Sequence, residues 1–521
     1  MDTSPTRAAW TTRTVLAELA TWLLHHPLML CLPVQAALLF ADLGRLPVWG
    51  DEQTSLDRAL LPFADLVREL QSNVHPTLYF LLLRAWLALP WPADGVVAAR
   101  AFSALTLIAA TIAIDRCWLA RRDARTRAWM LALWTVSPAL LLYGRMARSY
   151  ALQLLLATLA LAAGSQYAAR SNVPRLVAYA AAAVALLWTH YLPAIAVVAA
   201  VTLVMLVQSA PRRDARRVLF ALAPLPVIAI GFAGWISTLA GALGRVGTAT
   251  PYHVLGSAWL DSVAALAFTF ISFTIGESVS PGMIAALALL AAPIAMLLVQ
   301  GLRARPAGLA LVVATAVIAF LGAQRWVSYA FVAGRLLFLL PFYLLLLVGG
   351  GDTRPRLRAA VCSALLVLSL GGISAYWSQT GFLNKAYVIP VGEIADRIAA
   401  APGSGDGLII IDHHSCNLSL AAPNLSAPTI QLADQATFDD VIRRTSDHGG
   451  PVWFVRATHD VSREGWNQRV EAALAPRFSI ERNAFVPYSD FDRWLMQLAG
   501  WPERPTHAIE VLELRPRRAS G

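Results

Sequence analysis

The stretch WGDEQTSLDRALLPFADLVRELQSNVHPTLYF, residues 49–80, begins a few residues after an apolar segment running from Leu28 to Leu43. It places two adjacent carboxylates, Asp51 and Glu52, just beyond that segment. A carboxylate held at a lipid–water boundary is partly desolvated and can take a proton from an alcohol. A solvated acidic loop is the plain alternative. The residues after the pair are patterned. Leu56, Leu60, Phe63, Leu66, Val67 and Leu70 recur at helical spacing and can share one face. The stretch therefore reads as amphipathic helices beside a membrane, followed by the turn His75-Pro76.

Composition makes lipid the solvent for most of the chain. Of 521 residues, 57% are hydrophobic and only 14% are charged, where a soluble domain carries about 25%. The formal charge of +10 comes from arginines in short clusters between apolar runs. That placement is the positive-inside pattern of a polytopic membrane protein and excludes a nucleic-acid-binding reading. The four cysteines, Cys31, Cys117, Cys362 and Cys416, imply no disulfide framework. The N-terminus carries Arg7 and Arg13 without a small-residue cleavage site, so the first span is expected to be a retained anchor.

A spanning helix needs about 20 apolar residues. Eleven candidates fit, several of them short: 28–44, 96–118, 128–145, 150–168, 175–190, 192–209, 217–238, 282–300, 307–323, 335–350 and 357–376. The basic connections 121–127, 170–175, 211–217, 303–305 and 352–358 should be cytoplasmic. Alternation then puts the N-terminus inside and everything after 376 outside. Counting 78–92 or 256–275 as spans would put a basic cluster on the wrong side. Both are expected to lie on the outer surface or re-enter it, with Arg84 and Asp261 on polar faces. The alternative is that both cross and the charge rule fails locally.

After Tyr376 helix and strand signals alternate. VGEIADRIAA, FDDVIRRTS and REGWNQRVEAAL read as helices; GDGLIIID, PVWFVR and AIEVLEL read as strands. A small α/β domain outside the membrane is expected. IDHHSC (411–416) invites a metal reading, but no partner DxD accompanies it, so a polar turn after a strand fits better. Sequons at Asn417 and Asn424 carry little without a eukaryotic secretory context.

The block 49–105 resembles the first external loop of the GT-C membrane glycosyltransferases. More narrowly, it is similar to the branch of protein O-mannosyltransferases and lipid A aminoarabinose transferases (glycosyltransferase family 39-like). That branch runs from an acidic pair through juxtamembrane helices to a His-Pro-Pro-Leu-Tyr-like turn, a surface helix and an arginine opening the next span. Asp51 and Glu52 match the pair; His75, Pro76, Leu78 and Tyr79 match the turn, with Thr77 replacing the second proline; Arg100 matches the arginine. SPALLLYGRMARSYALQ is similar to the segment ending in Arg-x-Tyr, giving Arg148 and Tyr150, with Met146 where the family often has Glu. LLWTHYLP gives His190 and Tyr191. VAGRLLFLLPFYLLLL gives Arg335, with Leu336 replacing a tyrosine.

The resemblance implies a catalytic membrane domain over 1–380, and the helix and strand signals that follow put an extracytoplasmic α/β domain at 381–521. External loops are expected at 45–97 and 239–281; the second holds Arg245, Tyr252, His253, Asp261 and Glu277, to none of which a role is assigned. It also implies transfer of a sugar from a polyprenyl-phosphate donor to a glycan, lipid or protein acceptor at the outer face of the plasma membrane. Asp51 or Glu52 would be the base. His75, Arg100, Arg148 and Arg335 would hold the donor phosphate, and Tyr79, Tyr150, His190 and Tyr191 would line the substrate. Arginine suits a phosphate leaving group because its fork donates two hydrogen bonds and stays charged. No metal or other cofactor is demanded. A lipid-linked glycan flippase is the rival class, but its ionisable groups should sit near the midplane. A non-catalytic lipid-linked-sugar-binding relative is the second rival.

Overall fold

The computed structural model describes residues 22, 26–72, 76–92, 94–209, 215–248, 257–325, 332–349, 354–411, 427–431, 435–458, 461–498 and 506–517. His75, Tyr252, His253, the HHSC run, both sequons and the N-terminal arginines lie outside the described residues.

The chain enters through α1 (Pro27–Phe40) and then forms three short helices, α2 (Gly50–Leu60), α3 (Phe63–Ser72) and α4 (Leu78–Leu87). At 1.5 Å per residue, ten-residue α4 is too short to cross a bilayer core. A run of long apolar helices follows: α5 (Gly95–Ile114), α6 (Ala124–Thr135), α7 (Pro138–Arg145), α8 (Tyr150–Ala169), α9 (Val173–Leu187), α10 (Tyr191–Ser209), α11 (Ala215–Leu222), α12 (Pro224–Thr248), α13 (Ala258–Ile275), α14 (Pro281–Arg303), α15 (Pro306–Arg325), a 3₁₀ segment (Ala333–Leu339) leading into α16 (Leu340–Val348), and α17 (Pro355–Trp377). Their starts are set locally. Asp94 caps α5 through the Val97 N–H at 2.7 Å, Asp123 caps α6 through Thr126, and Asn172 caps α9 through Arg175. Pro138, at the start of α7, breaks one traverse into α6 and α7, and Ser137 caps the second piece.

Side-chain links fix the direction of each helix. α5 starts beside Glu52 and ends at Asp115, which pairs with Arg127 at the start of α6. α7 returns to Glu52, and α8 leaves from there. α14 leaves from Glu277, which bonds Tyr143 of α7; α16 ends where Arg305 reaches the Gly349 carbonyl; α17 returns to Tyr376 and Trp377 beside Arg145. Six stretches among the described residues are long and apolar enough to cross a membrane, α5, α8, α10, α11–α12, α14 and α17, with shorter apolar helices among them in α1, α4, α9, α13, α15 and the 3₁₀ segment with α16. α13 packs against α7, α15 and α17. It ends at Gly276 (φ 90°), where an added Cβ would stand 2.5 Å from Pro138 Cβ, so only glycine fits the turn.

Beyond α17 lie α18 (Val391–Ala400), β1 (Leu408–Ile411), β2 (Thr429–Gln431), α19 (Gln435–Asp447), β3 (Val452–Ala457), α20 (Val461–Leu474), β4 (Phe478–Pro487), α21 (Asp490–Leu498) and β5 (His507–Pro516). The sheet order is β2-β1-β3-β5-β4; β1 runs parallel to β2 and β3, while β5 is antiparallel to β3 and β4. Both faces of its centre are covered, which is why β1 is an unbroken apolar run and β3 is apolar but for Arg456. Leu408, Ile410, Val452, Phe454, Leu512 and Leu514 pack with Phe438, Val441, Val470 and Leu474 of α19 and α20. Ile409, Ile411, Trp453, Val455 and Val511 join the core that continues through Ile394 and Ile398 of α18 to Phe382, Tyr376 and Trp49. The α/β domain is therefore seated directly on the end of the bundle that carries Asp51.

Candidate active site

Adjacent residues of an α-helix point about 100° apart, so the first turn of α2 cannot bury both acids against the same wall. Glu52 turns inward and is 1% exposed; the Asp51 side chain is 41% exposed. Both sit in the first helical turn, where the macrodipole favours a carboxylate.

Glu52 meets Arg100 of α5 in a fork, with Nε to Oε1 at 3.0 Å and Nη2 to Oε2 at 2.7 Å. Arg100 spends its other donors on the carbonyls of Leu43, Leu46 and Pro47, at 2.7, 2.9 and 3.1 Å. All five of its N–H groups are thereby used. The sequence expectation is that Arg100 grips a phosphate; in the structure the fold's own acceptors engage its donors. Glu52 Oε1 also accepts the Ala147 N–H at 2.8 Å, which fixes the loop between α7 and α8.

That loop carries Arg148. Its Nη1 donates to the Asp51 carbonyl at 3.0 Å and to Ser55 Oγ at 3.1 Å, and Nη2 stands 3.2 Å from Asp51 Oδ2. Its Nε is buried without a partner. Tyr150 lies beside it, in electrostatic reach of Arg148, Asp51 and Arg335. Arg335 stands on the 3₁₀ segment, is half-buried, and its guanidinium has no protein acceptor among the described residues. His190 lies in reach of both Arg335 and Arg148, with Nδ1 buried and unpartnered. Tyr79 is buried near Arg148 and Glu52, its hydroxyl also unpartnered. Asp51, Arg148, Tyr150, His190, Arg335 and Tyr79 therefore converge. Tyr191 does not join them: its hydroxyl accepts the Trp235 indole N–H at 3.0 Å, within an aromatic cluster with Trp188 and Phe232. His75 lies outside the described residues, though the turn it belongs to is tied to His190's segment by the Leu78 N–H on the Trp188 carbonyl, 2.8 Å.

Two residues that sequence reasoning left unassigned or passed over belong to the same end. Glu277, in the turn between α13 and α14, accepts from Tyr143 and, at 2.9 Å, from Ser272. Its Oε2 has no partner, and burial pushes its carboxyl up to about 7. The signal was available, a lone acid inside an otherwise apolar run. Arg145 lies 4.7 Å from the Trp377 ring and 5.5 Å from that of Tyr376, and donates to the Leu38 and Asp42 carbonyls. Like Arg100 it serves packing. Among the described residues no group of His, Cys, Asp and Glu could hold a metal.

An acid-bearing helix thus lies at the end of a helical bundle on which an α/β domain is seated. Among solved structures the chain is similar to ArnT from Cupriavidus metallidurans, crystallised bound to undecaprenyl phosphate. The match has a TM-score of 0.50 at 16% identity and covers 93% of this chain and 97% of that one. At that identity the likeness is one of fold. No protein-family model and no curated protein matches the sequence.

Proposed function

We propose that the protein is an integral-membrane glycosyltransferase that moves a sugar from a polyprenyl-phosphate donor to a hydroxyl or phosphate acceptor at the outer face of the membrane. The single observation that carries this reading is the pairing of one exposed carboxylate, Asp51, with Arg148, beside a second guanidinium, Arg335, that the fold leaves without an acceptor among the described residues. In this reading the acceptor oxygen attacks the anomeric carbon. Its proton passes to the Asp51 carboxylate, the carbon–oxygen bond to phosphate breaks, and the lipid phosphate departs with the electron pair. Arg148 and Arg335 take the charge that grows on that phosphate, the largest demand such a transition state makes. Glu52 and Arg100 position Asp51 and Arg148 rather than touching substrate. Tyr79, Tyr150 and His190 line the space for the donor headgroup.

The undecaprenyl phosphate bound to ArnT supports the donor class. The outer-face assignment is supported by charge. Arginines at 121–127, 170–175, 216–217, 303–305 and 354–358 all fall at the end opposite Asp51, against Asp115 and Asp123 among the described acids. That end reads as cytoplasmic.

The experiment is release of free lipid phosphate from a panel of polyprenyl-phosphate sugars by the purified protein. Asp51→Asn is expected to abolish turnover while the protein inserts and unfolds as the parent does. Undiminished turnover by Asp51→Asn would remove the base from the proposal, and no release from any donor would remove the reaction.

A further inference from the structure

The end of the bundle opposite Asp51 holds a feature that sugar transfer does not use. Arg358, in the first turn of α17, is 8% exposed, and its Nε and Nη2 are buried without an acceptor. Arg305, between α14 and α15, gives Nη2 to the Gly349 carbonyl at 2.9 Å and leaves Nη1 buried and unpartnered. Arg125, at the start of α6, shares the surroundings of Cys362 with Arg358, and Arg122 lies in electrostatic reach of Arg305. Three connections of the bundle thus bring four guanidinium groups to one end.

Snorkelling does not explain them. A snorkelling arginine keeps its head in water, whereas Nε and Nη2 of Arg358 are buried. Among the described residues, local carboxylates do not explain them either. Asp115 is taken by Arg127 at 2.6 and 2.8 Å, and Asp123 caps α6. A buried, permanently charged group without a counter-ion is strongly unfavourable, so the site calls for an anion. At a bundle end lying at headgroup depth, the anion at hand is a lipid phosphate, and basic pockets between spans at the cytoplasmic face take such headgroups. We propose that Arg358 and Arg305, with Arg122 and Arg125 at the rim, bind the phosphate of one anionic phospholipid at the end of the bundle opposite Asp51. This site is independent of the proposed transfer reaction.

The test uses the full-length protein in a neutral detergent. Native mass spectrometry and thermal unfolding are followed while phosphatidylglycerol, phosphatidylcholine or inorganic phosphate is added. One phosphatidylglycerol should bind and raise Tm, with no comparable effect of the zwitterionic lipid. Arg358→Gln should weaken that binding by about tenfold or more, since it removes charge-assisted hydrogen bonds. Arg356→Gln, at an exposed position of the same turn, should leave it unchanged and so controls for net charge. If Arg358→Gln does not fold, Arg305→Gln serves with the same expectation. An equal response of the Arg358 and Arg356 variants would overturn the site. Protection by inorganic phosphate at matched concentration would overturn the lipid as its ligand.

Discussion

Asp51 and Glu52 are neighbours with opposite tasks, and the helix that carries them makes the division. Glu52 is enclosed by Arg100 and the Ala147 N–H, and through these it ties α2 to α5 and to the loop bearing Arg148. Removing one partner of a buried ion pair strands the other charge, at about 3–5 kcal/mol. Arg100→Met should therefore lower stability by that order, and Glu52→Gln alone by a similar amount. Combined, the two should cost clearly less than their sum, because the stranded charge is gone. Thermal or denaturant unfolding of the four proteins in detergent checks this double-mutant cycle; strict additivity would mean that the pair is not a unit. The resemblance of the chain's motifs to a known family made the acidic pair, Arg100, Arg148 and Arg335 visible as chemistry-bearing residues. It could not tell which arginine the fold consumes, because the acceptors on Arg100 are backbone carbonyls of residues 43–47. Carbonyls leave no trace in a sequence. The partner of Tyr191 was hidden for a related reason, since Trp235 lies 44 residues away on α12.

At the scale of elements, the site depends on close approaches that only glycine permits. Gly334 sits between two rings: an added Cβ would lie 2.7 Å from Tyr143 Cδ1 and 3.1 Å from Tyr150 Cδ2. Tyr143 is fully buried and holds Glu277, and Tyr150 stands beside Arg148 and Arg335. The rings have nowhere to retreat. Gly334→Ala should cost about 1–3 kcal/mol through overpacking and should reduce lipid-phosphate release more than its stability loss explains. Gly44→Ala, with nothing within 4 Å of the added carbon, is the matched control. Equal activity and Tm for the two variants would show that the Tyr143–Tyr150 wall tolerates displacement. Helices were the most legible elements, because apolar runs of spanning length leave few other choices. In the C-terminal domain the covered strands β1 and β3 announced themselves as apolar runs, broken in β3 only by Arg456, and β5 by the apolar residues around Glu510 and Glu513. β4 did not: it is an edge strand with a mixed pattern of exposed and buried residues, FSIERNAFVP. β2 is three residues long, too short for any period to register.

The whole molecule is polar in the electrical sense, and that asymmetry was already readable from where the arginine clusters fall. Acids and aromatic side chains gather at the end capped by the α/β domain, and arginines with almost no acids gather at the other. The domain is held to its end by more than the chain. Lys385 donates to the Phe382 carbonyl at 2.7 Å and to Asp492 of α21 at 2.8 Å, and the main chain pairs Val279 with Gly381 and Leu383 with Glu277. The sheet, the Glu277 turn and the Asp51 helix must therefore face the same compartment, and one labelling experiment tests all three. In a chain stripped of its native cysteines, Asp406→Cys lies on an exposed turn before β1 and Arg356→Cys on an exposed turn at the start of α17. A membrane-impermeant maleimide added to intact cells should modify position 406 and spare 356 until the membrane is opened. Labelling of 356 in intact cells would invert the orientation. Asp51, Arg148 and Arg335 would then face the cytoplasm, where the proposed outer-leaflet donor cannot meet them.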